Sequence, residues 1–217
     1  MDGEVGHLFK KLIRSMELLK TENHTLSDNL KKTRFQLLRL LTKIVEEIDP
    51  HTKGHSIKVY RYVIKIAKRL QLSQRQISTI GNAALLHDVG KIAIDRNILN
   101  KKGKLTPQEF AVIRNHPTVG VDIISQIEYL KSSCPHVLYH HARFEGGGYP
   151  RHKFKGEEIP IGARIIAVAD SYDAMTSDRP YRKAYAKECA IEELKLRSGR
   201  MYDPQIVDIF IEMLEEK

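Results

Sequence analysis

His87 and Asp88 end the apolar run that begins at Ala83, and Asp170 ends the run from Ile165 to Ala169. A carboxylate placed at the end of a buried apolar stretch is costly unless it is paired or binds a metal. One such residue would read as a core hydrogen-bonder satisfied by a neighbour. Here the set also includes His55, His116 and the adjacent pair His140 and His141. Imidazoles and carboxylates without thiolates suit iron, manganese or another first-row ion, and a carboxylate such as Asp88 can bridge two ions. Successive residues on a helix diverge by about 100°, so His87 and Asp88 are expected to address one site from two angles without breaking the helix. The competing interpretation is a scatter of individually satisfied core histidines. Cys134 and Cys189 lie far apart with no CxxC spacing, which supports neither a zinc-thiolate site nor a disulfide framework.

The elements that must carry these groups are helices. Val59, Val63, Ile66 and Leu70 follow 3,4 spacing. Ser73 with Gln76 forms a capping box, Thr106-Pro107 with Glu109 a second N-terminal signature and Asp203-Pro204 a third. No long alternating run suggests a strand, so the fold class is all-α. The stretch Glu145 to Gly156, with four glycines and a proline, is expected to be a surface loop. Before Pro50 the pattern changes. Steps of three and four from Phe9 land on Leu12, Met16, Leu19, Asn23, Leu26, Leu30, Thr33, Leu37, Leu40 and Ile44. This narrow stripe predicts a coiled-coil helix, and Asn23 within it points to a parallel homodimer through residues 9–44. The other interpretation is an amphipathic helix folded back on its own domain. The expected organisation is therefore a signalling helix over 1–48 and a second domain over 49–217.

The order of the chemical residues carries a resemblance. His55, HDVGK at 87–91, His116-Pro117, HHARFEGGGYP at 140–150 and ADSYDAMTSDRPYR at 169–182 together resemble the HD-GYP family of metal-dependent phosphohydrolases. The resemblance covers the chain from about Asp49 onward. It implies an HD-domain helical bundle, a bacterial signalling role, and hydrolysis of the second messenger cyclic di-GMP to linear pGpG or GMP. It also implies two transition-metal ions, iron or manganese, with His51 offering a ligand for a third. Carried over by position, the metal ligands are His55, His87, Asp88, His116, His140, His141 and Asp170, with Asp88 as the bridge. Lys91 falls where the family lysine faces the scissile phosphate, and Arg179 and Arg182 where basic residues hold the dinucleotide's phosphates. Ala142 and Glu145 depart from the family loop, which has Glu and Asp at those positions. Two ions on a phosphodiester neutralise its charge and activate water, which agrees with the chemistry read from the residues alone.

Composition narrows the alternatives. Lys and Arg exceed Asp and Glu by 36 to 27, and residues 49–217 hold most of the surplus, 27 to 20. That balance suits an anionic ligand, while the lack of a dense basic stripe argues against a DNA binder. The longest apolar run is five residues, too short to span a membrane, and the N-terminus has no signal-peptide core, so a cytoplasmic protein is expected. Two rivals remain open at this stage. One is hydrolysis of a related cyclic dinucleotide, and the other is a degenerate module that binds a nucleotide, or a signalling partner through the GYP loop, without turnover.

Overall fold

A computed structural model describes residues 2–49, 53–101, 103–178 and 183–216, without the side chains of residues 2–13, 15, 18 and 19. His51, Arg179 and Arg182 lie outside the described residues. The chain divides into two compact units, Met1–Leu40 and Leu41–Lys217. The first consists of helix alone: α1 runs Asp2–Ile48, and its last turns belong to the second unit. Thr42 explains why the division falls before residue 48, since its hydroxyl donates to the Leu85 carbonyl at 2.9 Å inside the second unit.

On α1 the apolar stripe found in the sequence faces solvent at its described side chains. Met16, Leu26, Leu30, Leu37, Leu40 and Ile44 are each 44–61% exposed. Such a row of large apolar side chains is one that water covers poorly.

The second unit is a helical bundle built from α2 (His55–Arg69), α3 (Gln74–Leu86), α4 (Arg96–Leu99), α5 (Pro107–Arg114), α6 (His116–Ile124), α7 (Cys134–Leu138), α8 (Ile161–Thr176), α9 (Lys187–Arg197) and α10 (Pro204–Glu215). The all-α expectation holds. α2 packs on α3, α8 and α10 through Val59, Val63 and Ile66, which are fully buried with Ala83, Ala84, Ile165, Ile166 and Phe210. Tyr62, Tyr172 and Phe210 meet edge to face with centroids 5.0–5.6 Å apart. All three sequence-read helix starts are capped as their residues demand. Ser73 and Thr106 form complete capping boxes, and the Asp203 carboxylate accepts from the Gln205 amide.

Two local expectations need correction. α3 stops at Leu86, so His87 and Asp88 sit in a turn that leads into a 3₁₀ segment, Val89–Ala93, instead of lying within a continuous helix. The reason is tertiary. Gly90 is pressed against α6 so closely that a Cβ there would lie 2.0 Å from the His116 carbonyl oxygen, and this docking turns the chain off the helix axis. The glycine-rich stretch is also more ordered than a plain loop. β1 (His141–Ala142) pairs antiparallel with β2 (Gly148–Tyr149), His141 opposite Tyr149. Gly148 has a φ of 86°, and a Cβ on it would meet the His141 carbonyl at 2.2 Å, so only glycine lets the two strands close.

Candidate metal centre

Helix ends deliver most of the candidate ligands to one place. His55 opens α2, His87 and Asp88 follow α3, His116 opens α6, and His140 and His141 follow α7. Asp170 alone comes from within a helix, α8. Their donor atoms gather into two groups of three: His55 with His87 and Asp170, and His116 with His140 and His141, the atoms of each lying within 4.8 Å of one another. Asp88 stands between the groups. Its Oδ2 is 3.5 Å from His87 Nε2 and its Oδ1 is 3.4 Å from His116 Nε2. One carboxylate thus turns an oxygen toward each triad, which is the arrangement a bridging ligand needs.

The ring orientations are fixed from behind. The Nδ1 atoms of His87, His116 and His140 lie 2.6–2.8 Å from the carbonyl oxygens of Ala84, Ile113 and Val137, each three residues upstream. With Nδ1–H donating to a carbonyl, the Nε2 lone pair is left for the interior. His55 is held differently, its Nδ1 2.6 Å from Asp173 Oδ2 and its Nε2 3.1 Å from Asp170 Oδ1. Asp170 and Asp173 share a face of α8 because they are three residues apart.

Electrostatics leave three of the candidate rings neutral, whereas an ion held by His55 must displace a proton from it. Burial pushes the His140 imidazole well below its ordinary range and His141 down to about 4, with neighbouring histidines adding to the effect. His116 is lowered for the same first reason. These rings are neutral and able to donate lone pairs. Burial also opposes charge on His55, but Asp170 and Asp173 outweigh it and raise the group to about 9. Burial would raise Asp88 and Asp170 as well. The Lys91 ammonium and the surrounding imidazoles hold Asp88 well below the usual carboxylate range, and the hydrogen bond from His55 does the same for Asp170. His87 Nε2 is buried and has no hydrogen-bond partner among the described residues. An orphaned nitrogen beside two carboxylates is costly without a cation and natural with one. The donor set therefore fits transition-metal ions.

Lys91 lies against the same centre, its Nζ 2.9 Å from Asp88 Oδ2 and 3.1 Å from Asp49 Oδ2. Burial would lower it, but these carboxylates outweigh burial and keep it cationic. Tyr149 stacks on His141 with centroids 4.4 Å apart. Ala142, the next strand residue, packs with Ile159 and Ala163. Sequence reading missed Asp173, Asp49 and Tyr149 as members of the site. Asp173 had a signal, because a second aspartate one helical turn after Asp170 shares its face; Asp49 had none beyond its type.

The sequence profile of the HD domain family matches residues 39–206 of this chain. The chain belongs to the HD domain family. Its HD dipeptide, His87-Asp88, is the pair that meets both triads, and the HD-GYP resemblance holds. Among curated relatives, the cyclic di-GMP phosphodiesterase of Thermotoga maritima is 37% identical over 209 residues, which cover 95% of this chain and 56% of that protein. The 3'3'-cGAMP-specific phosphodiesterase 2 of Vibrio cholerae is 35% identical over 220 residues, covering 99% of this chain and 42% of that protein. The chain thus spans about half the length of these relatives. A solved cyclic GMP-AMP specific phosphodiesterase of V. cholerae, V-cGAP3, shares the fold with a TM-score of 0.62 and 20% identity, over 83% of this chain and 49% of that one.

Proposed function

We propose that this chain is the hydrolytic unit of a cyclic dinucleotide phosphodiesterase, which hydrolyses cyclic di-GMP to pGpG, GMP or both. The observation that carries the reading is Asp88, whose two oxygens turn toward two separate ligand triads. Relatives named as cyclic di-GMP phosphodiesterases support the substrate. We assign His55, His87, Asp88, His116, His140, His141 and Asp170 as ligands of two ions, iron or manganese, with His51 as a ligand for a third in a three-ion form. Bound ions would supply charge neutralisation for the phosphodiester and an activated water.

The side chains do the rest. The carbonyl-bound histidines keep their Nε2 atoms aimed inward, and Asp173 holds His55. Lys91 offers a buried ammonium beside the bridge, where it stabilises the charge that grows on the phosphate. Arg179 and Arg182 are assigned to the substrate's phosphates on the strength of the family motif.

Outside the site, we propose a parallel homodimer through residues 9–44, supported by the exposed apolar row on α1, with the GYP loop as the surface for a signalling partner. The cysteines are unpaired, which suits the reducing cytoplasm. A second reading, cleavage of 3'3'-cGAMP, is favoured by the 35% identity to the V. cholerae enzyme of that name. Chromatography of products from manganese-loaded protein separates the two. The expected result is pGpG or GMP from cyclic di-GMP at a higher kcat/KM than cleavage of 3'3'-cGAMP. Bound ions with no product from either would instead identify a nucleotide- or partner-binding module.

A further inference from the structure

Beside the metal centre lies an open cleft of about 310 Å³. His140, His141 and Asp170 line it on the side of the triads; Phe110, Arg114, Arg143 and Tyr149 are among the residues lining the rest. Arg114 is the last residue of α5, and its guanidinium sits 4.4 Å from the centroid of the Phe110 ring and 5.7 Å from that of Tyr149. Tyr149 in turn stacks on the candidate ligand His141. Arg143 is carried by the hairpin turn, its amide donating to the Gly147 carbonyl at 3.1 Å. Both arginines are exposed, and neither has a carboxylate within ion-pair distance among the described residues. Elsewhere in this unit Arg69, Arg164, Arg197 and Arg200 each face one, while Arg61, Arg75, Arg96 and Arg151 do not among the described residues; what sets Arg114 and Arg143 apart is that both line the cleft beside the metal centre. The one carboxylate lining the cleft, Asp170, is engaged with His55.

Two guanidiniums without a carboxylate partner on the rim of one cleft are available to an anion that arrives with the ligand. Packing against the Phe110 and Tyr149 rings limits where the Arg114 guanidinium can move and leaves N–H groups on its edge to form charge-assisted bonds. Resting on the function proposed above, we infer that Arg114 and Arg143 add a contact of their own, beside that assigned to Arg179 and Arg182, to the second, non-reacting phosphate of the cyclic dinucleotide while the scissile phosphate lies at the metal centre. A substrate with two phosphates on one ring needs cationic partners at both. The centre and the arginine-lined rim supply them within the same cleft. Phosphate is the shared chemistry, so the contact does not depend on which base the nucleotide carries.

The test is binding to the full chain, read at once after mixing by polarisation of a fluorescent cyclic di-GMP, with unlabelled cyclic di-GMP and cyclic di-AMP as competitors. Arg114→Ala is expected to weaken both competitors by the same factor, about ten- to a hundredfold, since each lost bond is charge-assisted. Arg143→Ala should act in the same direction, and Arg114→Lys should fall between the parent and Arg114→Ala, because it keeps the charge and loses the fork. Both arginines are exposed, so an unchanged melting temperature separates lost binding from lost folding. Unaltered affinity in Arg114→Ala and Arg143→Ala would overturn the inference. So would weakening confined to cyclic di-GMP, which would make Arg114 a reader of guanine. A parent that binds both nucleotides but releases no product refutes the proposed hydrolysis and leaves the phosphate contact standing or falling on these affinities. A parent that binds neither refutes both.

Discussion

At the scale of single residues, the proposed centre depends on what stands behind each candidate ligand. Three histidines are held by backbone carbonyls, which no substitution removes, whereas His55 is held by the side chain of Asp173, only 2% exposed. Asp173→Asn keeps the volume and removes the charge, and its amide can turn a donor toward a ring nitrogen that needs an acceptor. Manganese affinity should fall by about ten- to a hundredfold, the usual effect of losing such a partner. Calorimetric titration checks this against the parent. An undiminished affinity would mean that Asp170 alone orients His55. The residues that gather at the centre were legible because His87, Asp88 and Asp170 end apolar runs, where a polar group is anomalous in itself, and because the ordered family motifs add His55, His116, His140 and His141. Arg114 was not, since a lysine or arginine near a helix end is ordinary, and only the meeting of α5 with Tyr149, 35 positions later, gives it a neighbourhood.

At the scale of elements, α1 makes the clearest demand. Its row of exposed apolar side chains repeats with the coiled-coil spacing, interrupted at Asn23 and at Thr33. Sedimentation equilibrium should give twice the chain mass, and Leu30→Lys with Leu37→Lys should reduce it to one chain while helix content in the second unit is kept. A parent that stays monomeric at high micromolar concentration would contradict the dimer. The helices and their starts were readable because caps and 3,4 spacing are local chemistry. Where α3 ends was not, because that is decided by the approach of Gly90 to the backbone of α6, a contact between residues far apart in sequence. The β1–β2 hairpin was hidden for a related reason: two-residue strands carry no alternating pattern, and their pairing rests on the left-handed backbone of Gly148.

At the scale of the whole molecule, the basic surplus of the second region has a local expression in a cleft bordered by Arg114 and Arg143 beside a centre that itself calls for cations. No described helix is long and apolar enough to cross a membrane. The centre ties the bundle together, since α2, α6, α8 and the segments after α3 and α7 each contribute a candidate ligand and Asp88 stands between the two groups. Metal content therefore tests the central claim most directly. Protein loaded with manganese, freed of excess ion and analysed by atomic emission should hold at least two ions per chain. Asp88→Ala, with its helical circular dichroism intact, should hold at most one and hydrolyse no cyclic di-GMP. A parent that retains no ion, or an Asp88→Ala variant that keeps two ions and the parent's rate, would contradict the two-triad centre.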